Sequence, residues 1–263
     1  MTADQNDPGD IPPGLVLPPA LLGLAEANSL GALRKMYRPA HDALFRTQAT
    51  RDRRILLFQQ GFLHATGPTT ADAYRWDHVT EVYQNAVDHY QNGRYQYTSV
   101  LFQLVLLDGS RFKLDGSFRG ARALGSHINA AVSSVLLPAA EAALAQGATL
   151  PFGPLGLSAQ ALAPKKRGPI PWTQIRLVKP IRGYVHVFVY GKDKSVLNVN
   201  CSQVPNLPLF SHLADRYAGK AARTPIPAQR DHSAGSGIAG GAIGDVGEVG
   251  EVRDVGEVGE VEL

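Results

Sequence analysis

Cysteine is nearly missing from this 263-residue chain. Cys201 stands alone, which excludes an intrachain disulfide framework and a thiolate metal centre and fits a reducing compartment. No run approaches the roughly 18 consecutive apolar residues that a membrane span requires. The N-terminus has no basic, apolar leader: Asp4, Asp7 and Asp10 occupy the place of a positive region. Asn200-Cys201-Ser202 matches a glycosylation sequon, which means nothing without a secretion route. Charged residues make up only 19% and apolar residues 44%, so most of the chain is expected to fold around a sizeable core in the cytoplasm.

Catalytic patterns are equally scarce. There is no phosphate-binding Walker loop, nucleophile elbow or H-E-x-x-H helix. Gly235-Ser236-Gly237-Ile238-Ala239-Gly240 satisfies G-x-G-x-x-G, but it lies in a Gly/Ala-rich tail rather than between a strand and a helix. His78 beside Asp77 could pair a base with its orienter, yet no nucleophile accompanies them. The eight histidines form no pair at metal-ligand spacing. The sequence thus implies no enzyme, no cofactor and no metal.

What is present is repetition. Phe58-Gln59-Gln60-Gly61-Phe62-Leu63 leads to Tyr74-Arg75-Trp76-Asp77-His78-Val79. Phe152-Gly153-Pro154-Leu155-Gly156-Leu157 leads to Ile170-Pro171-Trp172-Thr173-Gln174-Ile175. The only two tryptophans each stand 15 residues after a turn position, Gly61 or Leu157, and each precedes a β-branched residue by three. Two related modules in tandem follow from this echo. Trp76 and Trp172 are expected to anchor their cores, because an indole contributes a large apolar area.

Residues 1–17, polar and rich in Pro and Gly, are expected to be disordered. Residues 18–52 read as an N-terminal helix and a polar connector: Leu21, Leu22, Ala25, Leu30 and Leu33 recur at helical spacing up to Met36. Residues 53–147 form the first module. Its strands include Ile55–Phe58, Phe62–Ala65 and Ala73–Trp76. A long hairpin follows, turning at Asn92-Gly93, where two positive-φ residues suit a type I′ turn. The module ends in a helix carrying Leu124, Ile128, Val132, Val135 and Leu136, with a kink or restart expected at Pro138. Residues 148–218 repeat the plan in shorter form, with strands at Leu150–Leu157, Gln160–Leu162, Ile170–Val178, Tyr184–Tyr190 and Ser195–Cys201 and a helix bearing Leu209, Phe210, Leu213 and Tyr217. Tyr184–Tyr190 alternates strictly and is apolar or aromatic on both faces, so one face is expected to meet the other module. Residues 219–263 read as a disordered Gly/Ala-rich segment and an acidic period-three repeat.

Strands, a W-x-x-β-branched motif, a long hairpin and one final amphipathic helix, all twice over, resemble the pleckstrin-homology-like (PH-like) fold. Arg75-Trp76-Asp77-His78-Val79-Thr80-Glu81-Val82-Tyr83, Asn92-Gly93 with Tyr95 and Tyr97, and Leu106-Leu107-Asp108-Gly109 with Lys113-Leu114 resemble an uncharacterised bacterial family of tandem PH-like proteins. The resemblance covers about residues 30–217 and implies an α+β fold of two antiparallel β modules, each closed by its C-terminal helix. Some members carry a membrane-spanning hairpin before the first strand; Pro39–Arg54 here is short and polar.

The net charge of +3 hides an asymmetry: seven acids and one base lie in residues 245–263, leaving 25 basic and 16 acidic residues before them. Such a tail could screen a basic surface. Lys165, Lys166 and Arg167, reinforced by Arg176 and Lys179, are the candidate contact for an anionic ligand or membrane. The expected role is non-catalytic recognition of a peptide or protein partner, with attachment to the inner face of an anionic membrane as the alternative. Nucleic acid is set aside, because no helix bears a basic stripe with interleaved aromatics.

Overall fold

Two rounds of the same strand order follow one another along the chain. A computed structural model describes residues 9–40 and 52–223. Four strands, β1 (Leu33–Tyr37), β2 (Arg54–Phe58), β3 (Gly61–Ala65) and β4 (Ala71–Arg75), form an antiparallel meander. A single 3₁₀ turn at Trp76–His78 leads into a three-stranded meander of β5 (Val79–Gln91), β6 (Arg94–Leu106) and β7 (Arg111–Leu114). Helix α2 (Ala121–Ala145) follows.

The second round has β8 (Leu150–Phe152), β9 (Leu155–Leu157), β10 (Ala161–Pro164) and β11 (Ile170–Pro171), then a 3₁₀ turn at Trp172–Gln174. It continues with β12 (Ile175–Ile181), β13 (Tyr184–Val189), β14 (Leu197–Asn200) and helix α3 (Leu207–Arg223). The fold is α+β, with four antiparallel sheets and three helices among the described residues.

The N-terminal region departs from the sequence reading. Helix α1 spans only Pro19–Ala27, opened by a proline in its first turn. Ser29 and Gly31 then adopt positive φ (52° and 76°), which ends the helix. Leu33–Tyr37 is a strand that pairs with β2, Met36 opposite Leu56. Its helix-like leucine spacing yields to a long-range pairing. Residues 9–17, expected to be disordered, are anchored at both ends: Gly9 accepts a hydrogen bond from the Met36 amide at 2.9 Å, and Leu17 is buried. Most of the polar connector (residues 41–51) lies outside the described residues, as do residues 1–8 and 224–263, which include the glycine motif and the acidic repeat. The last helix runs past the expected boundary at 218 to Arg223.

Sheet β1–β4 is covered on both faces, which explains the unbroken apolar run of β2. Leu56 and Leu63 face α1 with Leu21 and Leu30, while Ile55, Leu57 and Phe62 face the β5–β7 sheet and α2. The Asn92-Gly93 turn has φ of 51° and 73°, as a type I′ turn needs, and joins two 13-residue strands. Leu150–Leu157 is not one strand but a tight hairpin through Gly153-Pro154, and Ile170–Val178 is interrupted by the Trp172 turn. Ala73–Trp76 likewise ends before its tryptophan.

Helix α2 binds the two rounds together and runs continuously through Pro138. Leu124, Ile128 and Val132 lie in the first core, Ala140 and Leu144 in the second, and Leu136 packs against both. Gly125 is required by close approach: a Cβ there would fall inside the Phe102 ring. By length and composition α2 could cross a membrane, with a mean hydropathy of 1.5. Two of its polar side chains are tied to the first module: His127 Nδ1 lies 2.6 Å from the Tyr37 hydroxyl, and Asn129 donates to Gln84.

A second tie comes from Asn206. Its side-chain oxygen accepts from the Val82 amide (2.9 Å), its NH₂ donates to Thr80 O (2.8 Å), and its own amide donates to Val82 O (2.9 Å). One residue thereby acts as a short strand along the free edge of β5. The outer face of β13 does not join the modules: Tyr184 is 46% exposed, while Val185 and Val187 fill the second core.

Candidate functional site

The two tryptophans come first, because they set the frame in which every loop is placed. Both are 3% exposed. The Trp76 amide donates to Gln60 O at 3.0 Å, and its indole Nε1 donates to Phe58 O at 3.3 Å. The Trp172 amide donates to Gln160 O at 3.2 Å, and its Nε1 to Ser158 O at 2.9 Å. Each indole thus pins the preceding β-turn at two carbonyls. Phe62 stacks on Trp76, and Tyr217 of α3 stacks on Trp172. Neither ring is placed to receive a ligand.

The pinned turns also correct the register of the repeat. Gly61 pairs with Arg75 and Ala161 with Pro171, so Gln60 corresponds to Gln160, and Gly61 does not correspond to Leu157. The loops after β3 and β10 are both five residues long; β10 and β11 are together four residues shorter than β3 and β4.

Pinning the turn before β10 also fixes the rim beyond it. The β10–β11 loop carries Lys165, Lys166 and Arg167, all exposed. Lys165 donates its amide to Pro154 O (2.9 Å), and Arg167 Nη1 donates to Val196 O at 2.7 Å. That bond ties the loop to the β13–β14 connection, which brings Tyr190, Lys192 and Lys194 beside it. Between the two loops lies a groove of about 540 Å³, with Ile170, Val189 and Val196 as apolar walls and Arg167 and Lys192 at its rim. A neighbouring concavity of about 560 Å³ is lined by Arg167, Lys192, Asp193 and Lys194.

The five basic residues singled out from sequence therefore divide. Arg167 lines the groove, and Lys165 and Lys166 stand exposed on the loop that carries it. Arg176 and Lys179 lie on β12, with Arg176 over the Phe188 ring at 5.8 Å and Lys179 opposite His186. Lys192, Lys194 and Tyr190 were missed. Their only signal was a second charged turn, Lys192-Asp193-Lys194, 25 residues beyond Arg167. The second round as a whole is strongly basic: residues 148–218 hold nine Lys and Arg against two acids, Asp193 and Asp215.

The weak catalytic candidates find other partners. Asp77 receives two 2.9 Å hydrogen bonds from Arg75, which hold its carboxyl below the ordinary carboxylate range. Burial pushes the Cys201 thiol above its usual value, the reverse of what a nucleophile needs. Asn200 accepts from the Ser202 amide and hydroxyl, so the sequon residues form a cap. No group of three metal-ligating side chains occurs among the described residues.

A family model matches residues 42–222, which take in every strand after β1 and nearly all of the two long helices. The chain belongs to that family, DUF6585, a family of unknown function. No curated protein matches the chain.

Proposed function

We propose that this chain is a non-catalytic binding protein with two pleckstrin-homology-like modules, and that the second takes an acidic peptide segment of a protein partner. The repeated order of four strands, a tryptophan turn, three strands and a helix supports the PH-like reading. The groove between the β10–β11 and β13–β14 loops carries the functional one. It joins apolar walls to a rim of Arg167 and Lys192, with Lys165, Lys166 and Lys194 on the same loops. Basic residues steer an acidic segment in, and the apolar floor holds a side chain once it arrives.

Titration with a fluorescent Glu/Asp-rich peptide carrying one leucine tests this reading. Lys192→Glu with Lys194→Glu should weaken binding by at least about tenfold and lower its salt dependence. Unchanged affinity would remove the groove.

The exposure of Lys165 and Lys166 favours one further reading, contact with an anionic bilayer. Three basic residues at about 1 kcal/mol each give roughly two decades of affinity, marginal for stable attachment. Binding to phosphatidylserine vesicles should accordingly be weak and lost in Lys165→Glu/Lys166→Glu. Tight binding that survives this change would exclude the loop.

A further inference from the structure

We propose that the outer face of the β12–β13–β14 sheet is a stacking platform for an unpaired nucleic-acid strand. This goes beyond the peptide groove and uses different residues.

The platform is built by register. On β13, Val185 and Val187 are fully buried, which turns Tyr184, His186 and Phe188 outward. The three rings follow one another along the strand, with centroids 6.4 Å and 6.0 Å apart. On β12, Leu177, Lys179 and Ile181 stand opposite Phe188, His186 and Tyr184. Leu177 and Ile181 are 41% and 37% exposed. Arg176, in the bulge of β12, lies over the Phe188 ring. On β14, Asn198 and Asn200 stand opposite His186 and Tyr184, and both are exposed. Their side-chain oxygens accept from Ser195 and Ser202, and among the described residues their NH₂ groups have no protein partner.

The chemistry selects the ligand class. A row of three rings that ends in the exposed Tyr184, two cations and two amide donors share one surface, and β12, β13 and β14 contain no acid. Bases stack on aromatic side chains exposed on a sheet, phosphates meet Lys and Arg, and amides meet base edges. An acidic peptide would satisfy the cations and leave the ring row without a stacking partner. A bilayer headgroup would pair with Lys179 but would leave the ring row without a stacking partner. Duplex DNA hides its base faces, so the rings require an unpaired strand. The pattern is not that of a basic helix: its rings recur at every second residue of a strand, with the cations supplied by the neighbouring strand.

The test uses the full chain and fluorescence anisotropy with labelled oligothymidylate and oligouridylate about 12 nucleotides long, beside a duplex of the same length. Either single strand should bind more tightly than the duplex. Tyr184→Ala should weaken single-strand binding by roughly tenfold, and Tyr184→Phe, which keeps the ring, should restore it. Lys179→Glu should reduce the salt dependence. Because Tyr184 is half exposed, thermal melts should show the folded state intact in these variants. Three outcomes would each overturn the proposal: no strand binding; equal binding of strand and duplex that ignores Tyr184→Ala; or strand-free binding to phosphatidylserine vesicles that Tyr184→Ala abolishes.

Discussion

The first and second modules share a frame and differ in almost everything placed on it. In both, an indole pins the turn two strands back, and a β-branched residue three positions on (Val79 or Ile175) donates its amide back to the tryptophan carbonyl. In both, a bulge follows at once, between Val79 and Glu81 and between Ile175 and Leu177. Beyond that point they part. The first module has 13-residue hairpin strands and near-balanced charge, with eight basic and seven acidic residues in 53–147. The second has strands of seven and six residues and an excess of seven positive charges. A tolerant frame let one copy become the larger structural partner and the other collect cations on its rims.

The strongest way to break this comparison is at the pins. Trp76→Ala and Trp172→Ala should each destabilise by about 3–5 kcal/mol, since each removes a buried indole from a packed core. Urea denaturation of both variants measures it. Costs that differ by more than about 2 kcal/mol would mean that the two anchors are not equivalent.

Asn206 sharpens the other half of the comparison, the joint. Asn206→Gly tolerates the 51° φ and isolates the hydrogen bonds. It should cost about 2 kcal/mol and speed hydrogen exchange at the Val82 amide, which loses its acceptor. Unchanged exchange there would remove Asn206 as the latch.

The smallest effect concerns acid. His64 on β3 is held below its ordinary value of 6.5, first by burial and then by the charge of Arg53, and its Nε2 is buried without a partner. The ring meets the edge of Phe112 at 5.0 Å, and Asp72 stands opposite it. The folded state thus takes up this proton less readily than the unfolded state. The stability it contributes is complete above pH 6.5 and falls as pH drops toward the lowered value. The matching position of the second module is Pro164, which does not titrate. Acid should therefore loosen the first module first, and His64→Gln should flatten that dependence. Amide exchange followed from neutral to mildly acidic pH reads both; an equal response of the two modules would discard the idea.

Local chemistry was readable in advance wherever a few neighbouring residues decide the outcome. Asn92-Gly93 specified its turn, and the alternation of Tyr184–Tyr190 specified a strand, though with both faces apolar or aromatic it did not specify which face stays exposed. The duplication was readable too, but its register was not. Equal spacings of 15 residues aligned Gly61 with Leu157, when shortened strands had moved Trp172 four residues closer to its turn. Leu33–Tyr37 looked helical because its pairing partner lies some 20 residues away, across the connector. The groove was half visible: the Lys165–Arg167 loop announced itself, whereas Lys192 joined Arg167 only through the fold and the Arg167–Val196 bond.

Helix α2 has one more consequence. Since a single rod supplies a wall to both cores, there is no peptide bond between residues 121 and 145 at which the chain can be divided to leave two whole pieces. The duplicated halves are no longer portable. Neither can be cut out, shuffled into another gene or inherited alone without an open core, so whatever the second half binds, it does so with the first always attached.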